Sequence, residues 1–412
     1  MSTMENDEFT NLIQEIALDG FTRRDKYSFE GNSLLARLKD LGSQLWVDTG
    51  DLDRAKRLWK GELSALTTNN TLANQVVQTG VMDEEIKRAV KRIKESSSGI
   101  NEEDLIFEIG FIINCKIALR LVTAFNARVS VELHPAFARD KEKSIAYARR
   151  YYSICPENFI IKIPLTPDGY LTVRELKKEG IPINYTLGFS ARQNRLAASL
   201  SNPDYVNIFL GRLNAVVSDN SLGDGEYVGE AVTLATQRVL DKLKKENNNI
   251  KTSLIAASIR NGEQVISLAG VDVLTIPPKA VEEFLELDLD PSKIENSKEK
   301  VYKVGINDKD IERFNILWDV DDRFRQFTDK LLNMDIDSMS GNDLIGACEK
   351  NDVNLFYRFS EAELSKIKDH GKIPDLSRWG KDIAIDNLMT VSALQSFAKD
   401  QEALDNRIKE FI

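Results

Sequence analysis

Residues 159–189 read FIIKIPLTPDGYLTVRELKKEGIPINYTLGF. The stretch divides into an apolar run (159–165), a segment with helical spacing ending in Lys-Lys-Glu-Gly (171–180), and a second apolar run (183–189). Both runs are nearly continuous in apolar character, as strands covered on both faces are. The Lys-Lys-Glu-Gly end is a helix stop. Strand, helix, strand is the unit of a parallel sheet with right-handed crossovers.

The unit recurs along the chain. Further strand-like runs lie at 44–48, 64–69, 128–133, 205–212, 253–258 and 273–278, which with the two above makes eight. Helical patterns at 53–61, 71–96, 139–154, 190–200, 229–247 and 261–270 alternate with them. The longest apolar stretch, 105–125, is interrupted by Glu108, Lys116 and Arg120, which suits a buried amphipathic helix better than a membrane span. Eight units predict an α/β fold of the (β/α)8 barrel type over 40–284. An open doubly wound sheet would normally carry a GxGxxG turn after its first strand, and none occurs there. Residues 1–39 read as an N-terminal helical extension. Residues 285–385 break the rhythm with a polar linker and helical patterns, a helical insertion or extension, and 386–412 read as a terminal helix packed on the barrel.

The 412 residues are 42% hydrophobic and 29% charged, an ordinary globular composition. The net charge of −10 argues against nucleic acid or anionic lipid as partners. Two histidines, His134 and His370, rule out a histidine-rich metal site. Three cysteines without CxxC spacing read as buried thiols in a reducing compartment. The acidic, polar start does not read as a signal peptide, so a cytoplasmic protein is expected.

Lys162 stands inside the first apolar run, and lysine is almost never buried unless something pairs with it or uses it. Taken alone, it reads as a lysine snorkelling at a strand end. In a parallel barrel, however, function collects at the carboxyl ends of the strands. Polar residues recur there on seven of the eight: Asp48; Thr67, Thr68 and Asn69; Glu132; Lys162; Asn184, Thr186 and Ser190; Asn207 and Arg212; Ser258 and Arg260. A desolvated amine is a nucleophile toward carbonyls and forms a Schiff base, an electron sink for breaking an adjacent C–C bond. That cleavage also needs a carboxylate base, for which Asp48 and Glu132 are candidates. Arg212, Ser258 and Arg260 make a plausible phosphate clamp.

Eight blocks follow one another in the order of a known family: VDTGD (47–51), TTN (67–69), VSVEL (129–133), IIKIPLT (160–166), INYTLGFS (183–190), FLGR (209–212), ASIRN (257–261) and FAKDQEALDNRI (397–408). The chain resembles the transaldolase family. The resemblance implies a (β/α)8 barrel and ping-pong transfer of a dihydroxyacetone unit between sugar phosphates, such as fructose 6-phosphate and erythrose 4-phosphate, in the cytoplasmic pentose phosphate pathway. It implies neither metal nor organic cofactor, small sugar phosphates as partners, and it allows a homodimer. By the same resemblance Lys162 is the Schiff-base lysine. Asp48 moves the proton of the hydroxyl at the cleaved bond, and Glu132 with Thr186 holds a water that shuttles protons. Asn69 and Asn184 bind the three-carbon unit with Ser190 close by, and Arg212, Ser258 and Arg260 hold the phosphate. Glu132 and Phe209 stand where the related fructose 6-phosphate aldolases usually have glutamine and tyrosine. Asn70, His134 and Asn207 depart from the family's usual proline, aspartate and serine. The rival readings are an aldolase releasing free dihydroxyacetone, a transferase of a modified sugar, and a sugar-phosphate-binding barrel without turnover. The tail aromatics read as core packing rather than a sugar platform.

Overall fold

The computed structural model describes residues 3–23, 27–97, 99–380 and 382–412. Eight strands, β1 (Gln44–Asp48), β2 (Leu63–Thr67), β3 (Arg128–Glu132), β4 (Phe159–Pro164), β5 (Ile183–Thr186), β6 (Tyr205–Phe209), β7 (Ser253–Ala257) and β8 (Val273–Ile276), close into a parallel barrel in sequence order. β8 pairs with β1 and shuts the ring. The (β/α)8 expectation holds. The strands have buried side chains on both faces because helices cover them outside and barrel residues fill the inside.

Helix starts follow from local side chains. Asn69, Asn101, Asp140, Thr166, Ser190 and Asn261 each accept a hydrogen bond from a first-turn N–H, which those amides would otherwise lack. Two boundaries differ from the sequence reading. The pattern over 71–96 is two helices, Asn70–Gln78 and Asp83–Ser96, parted at Gly80 with φ +80°. β6 ends at Phe209, and Leu210–Asp219 is a helix rather than the end of a strand. Its buried residues Leu210, Leu213, Val216 and Val217 recur at helical spacing. The apolar helix Glu102–Phe125 buries two charges, each paired: Glu108 receives Arg150, and Lys116 meets Glu85 at 3.1 Å and the Asp19 carbonyl at 2.8 Å.

Beyond the helix Pro278–Leu285 the chain forms no strand among the described residues. It follows the outside of the barrel instead. Arg37 grips the Ile294 carbonyl, Gly305 bonds to the turn at Gly225 and Glu226, and the helices Asp322–Leu332 and Gly341–Lys350 pack on Ala191–Ser201 and Pro167–Lys178. The helix Glu361–His370 then leads back to the terminal helix Ile385–Lys409, which packs on Asn70–Gln78 and Glu102–Phe125. Among the described residues no helix is long and apolar enough to cross a membrane.

One buried ion pair joins these parts. Arg192 donates to both carboxylate oxygens of Asp386, at 2.8 and 2.9 Å, and to Asn354 Oδ1 at 2.9 Å. Barrel helix, outer segment and terminal helix therefore share one guanidinium. Asp386→Ala leaves that cation buried without its carboxylate. A loss of about 3–5 kcal/mol is expected in urea denaturation, far more than from breaking an exposed, solvent-screened pair such as Lys87–Glu84.

Candidate active site

Strand register builds the site. Glu132, Lys162 and Asn184 are lateral neighbours on β3, β4 and β5, so their side chains share one layer inside the barrel. Asp48 and Thr67 are neighbours on β1 and β2. Below lies an aromatic floor, where Trp46 meets Tyr205 edge to face at 4.8 Å. Above opens a cavity of about 850 Å³ at the carboxyl ends of the strands. Its wall includes Asp48, Asn69, Lys162, Asn184, Asn207, Phe209, Arg212, Ser258 and Arg260.

Lys162 is 3% exposed. Its Nζ donates to the Thr68 carbonyl at 3.1 Å and lies 3.2 Å from Glu132 Oε2, an ionic approach without hydrogen-bond alignment. Burial raises the Glu132 pKa to about 6 and the Asp48 charge adds to the rise, while Lys162 and Arg212 oppose it. Burial also raises Asp48, against the pull of Lys162, a Thr67 hydrogen bond and Arg260. Thr67 gives its one proton to Asp48 at 2.6 Å, so in its 2.7 Å contact with Thr275 it must accept. A directed chain Thr275, Thr67, Asp48 thus fixes the carboxylate.

Asn184 Nδ2 donates to Ser130 Oγ at 3.0 Å, which aims its unpartnered Oδ1. Thr186 Oγ1 is likewise buried without a partner. Asn69 commits its oxygen to the Leu72 N–H at 2.9 Å. Of its side chain, only the amide NH₂ remains to offer a ligand. Ser190 is a correction. It is absent from the cavity wall and wholly buried, donating to Asp386 at 2.7 Å and capping its helix at Gln193. It sits one residue before a helix, where a hydroxyl is drawn to the free amides.

Arg212 sits in the first turn of its helix, its guanidinium 5.5 Å from the Phe209 ring centre and 5.4 Å from that of Phe397. Burial and the neighbouring Arg260 lower its pKa to about 10, and Nη1 has no protein partner. Phe397 lines the cavity, so this tail aromatic is part of the site wall as well as of the packing. Its signal was its place in the FAKDQEALDNRI block. Thr275 carried none, a lone threonine in an apolar strand. The three departures have structural partners. Asn70 donates to Gln401 at 2.9 Å, His134 lies 3.3 Å from Asp405, and the Asn207 oxygen accepts from Gly188 at 3.1 Å.

Ser258 and Arg260 are tightly packed against Gly211. Ser258 has φ +65°, a region that side chains with a Cβ rarely adopt. A Cβ on Gly211 would stand 2.3 Å from the Ser258 carbonyl and 2.5 Å from Arg260 Nε. Gly211→Ala must therefore displace both residues. Overpacking of about 1–3 kcal/mol is expected to appear as a lower melting temperature. A KM for phosphorylated substrates raised about tenfold should accompany it, with kcat nearly unchanged.

The sequence profile described as Transaldolase/Fructose-6-phosphate aldolase matches residues 45–334. A transaldolase of Xanthomonas euvesicatoria is 28% identical over 278 residues, covering 65% of this chain and 84% of its own. A probable transaldolase of Nitrosopumilus maritimus is 29% identical, covering 65% and 99%. A transaldolase of Xanthomonas campestris is 30% identical, covering 63% and 79%. Among solved structures, an IMP dehydrogenase/GMP reductase-like protein from Corynebacterium glutamicum is 13% identical with a TM-score of 0.34, covering 63% of this chain and 71% of its own, too distant to bear on the argument. The match spans most of the chain and takes in all eight strands but for Gln44, together with Asp48, Glu132, Lys162, Arg212, Ser258 and Arg260, so the chain belongs to the transaldolase/fructose-6-phosphate aldolase family.

Proposed function

We propose that the protein is a transaldolase that carries a dihydroxyacetone unit on Lys162 from a ketose phosphate, such as fructose 6-phosphate, to an aldose phosphate. The observation that carries this is buried Lys162 on the wall of a cavity that also holds Asp48, with Glu132 behind it at 3.2 Å. Glu132, with a pKa near 6, is matched to proton exchange with an amine and with water near neutral pH. In the proposed path the amine adds to the ketose carbonyl. Glu132 protonates the departing carbinolamine hydroxyl, water leaves, and an iminium remains. Asp48 removes the proton of the next-but-one carbon's hydroxyl, the C–C bond breaks, and its electrons pass into the iminium to give an enamine. The aldose phosphate departs. The enamine then attacks the incoming aldehyde, Asp48 returns the proton to the new alkoxide, and hydrolysis frees Lys162. The unpartnered buried oxygen of Thr186 supports a water-handling role for that hydroxyl. The unpartnered Nη1 of Arg212 supports an anionic ligand.

Borohydride reduction in the presence of fructose 6-phosphate without acceptor, read by peptide mass spectrometry, tests the reading. A three-carbon adduct on Lys162 with little free dihydroxyacetone is the expected result. Steady release of dihydroxyacetone would reassign the chain to aldolase chemistry. No adduct with any ketose phosphate would overturn the Schiff base.

A further inference from the structure

The cavity wall carries more positive charge than Arg212 and Arg260 supply. Arg54, Arg120, Lys279 and Lys372 also line it, alongside the acids Asp51, Asp53 and Asp400, and Arg54 lies 3.4 Å from Glu282. Lys279 lies 3.4 Å from Glu283 on its own helix, and Arg120 rests its Nη1 on the Met82 sulfur at 3.3 Å. Lys372 is exposed and has no side-chain partner among the described residues. It also lies outside the region matched to the family, in the connection from the helix Glu361–His370 to the short turn Leu376–Arg378.

Its backbone is held in place. Gly371 ends the preceding helix at φ +83°, a conformation open to glycine, and turns the chain into the lysine. Asn220 grips the far side of the loop: its Nδ2 donates to the Pro374 carbonyl at 3.0 Å, and its Oδ1 accepts from the Leu376 N–H at 2.7 Å. Asn220 directly follows the helix Leu210–Asp219, whose first turn carries Arg212. One helix therefore ties the buried guanidinium to the loop bearing the exposed ammonium.

We propose that Lys372 is a second phosphate-recognition residue, by which the outer segment contacts a sugar phosphate at the cavity mouth while Arg212 and Arg260 hold it from within. The assignment rests on the sugar-phosphate reading above. The residue type suits the place. Each transfer cycle releases one phosphate ester and admits another, and a compact charge on a flexible stem can follow that exchange. A solvated ammonium acts on association and is screened by salt, so its effect belongs in affinity and KM rather than kcat.

The test is calorimetric titration of the full chain with inorganic phosphate and with fructose 6-phosphate, at low and high salt. Wild type, Lys372→Met, Lys372→Arg and Arg260→Met would be compared, with borohydride trapping run in parallel. Lys372→Met is expected to weaken both ligands about fivefold at low salt, with the gap closing at high salt. Lys372→Arg should stay within about twofold of wild type, and Arg260→Met should lose more than Lys372→Met. Adduct formation on Lys162 should persist in Lys372→Met at saturating ketose phosphate. Equal affinities for wild type and Lys372→Met would overturn the assignment. Phosphate binding that depends on Lys372 without any trapped adduct would remove the catalytic reading and leave Lys372 assigned. Absence of binding of either ligand to wild type would remove the Lys372 assignment, and would remove the catalytic reading only if no adduct were trapped as well.

Discussion

Lys162→Ala is expected to lower kcat by at least about 10⁴-fold and to abolish the borohydride-trapped adduct. The proposed nucleophile is the one buried lysine on the cavity wall among the described residues, and loss of such a group typically removes nearly all chemical acceleration. The fold should survive for a reason visible in the site. Lys162 is the main charge opposing the rise of the Glu132 pKa, which with the lysine present is already about 6. Without the ammonium that pKa climbs further, and the carboxyl takes up a proton instead of remaining as a buried anion. The sign of the linked stability change follows. A carboxyl whose folded pKa lies above its unfolded value stabilises fully below the unfolded value and loses that contribution as pH rises through the folded one. The variant's melting temperature should therefore fall more steeply than that of wild type as pH rises from the ordinary carboxylate range through and beyond about 6. Lys162→Met, closer in volume, separates the charge effect from the cavity left by alanine. Turnover within tenfold of wild type in either variant would sink the Schiff-base proposal.

The barrel was legible because its signals are local. Each strand-like run of five or so apolar residues, each helix stop and each capping side chain can be read within a window shorter than one unit. The polar residues at the strand ends were legible for the same reason: Lys162 in an otherwise apolar run contradicts its surroundings. What failed was whatever depended on a partner far away in the chain. Ser190 looked like a ligand contact because its real partner, Asp386, lies 196 residues later. Thr275 looked inert because Thr67, 208 residues before it, gives it meaning. Phe397 could be placed beside Arg212 only once the terminal helix had folded back over the mouth. The course of the outer segment was illegible on the same grounds. Its short helices have ordinary patterns, and nothing local says that Asn220 will hold the loop that carries Lys372.

Asp48→Asn should separate the two halves of the chemistry. The substitution keeps the side chain's volume and its contact with Thr67, but removes the base proposed to take the hydroxyl proton at the bond that breaks. Loss of a positioned general base costs about 10²–10⁴-fold, and overall transfer is expected to fall toward the upper end of that range. Schiff-base formation does not use Asp48, so Lys162 should still condense with fructose 6-phosphate. The trapped species is then expected to carry the whole six-carbon phosphate, where wild type carries three carbons. The pH dependence of trapping gives an independent check. The Asp48 charge is one of the influences that raise the Glu132 pKa to about 6. A neutral asparagine withdraws that influence, so Glu132 should ionise at lower pH, and the alkaline limb of adduct formation, where the acid is lost, should move down with it. Glu132→Gln should instead give slow adduct formation with no limb near pH 6, and three carbons on whatever adduct appears. A three-carbon adduct in Asp48→Asn at the wild-type rate would remove Asp48 from the cleavage step. A six-carbon adduct with an unmoved alkaline limb would keep Asp48 as the cleavage base but show that this limb is not set by Glu132.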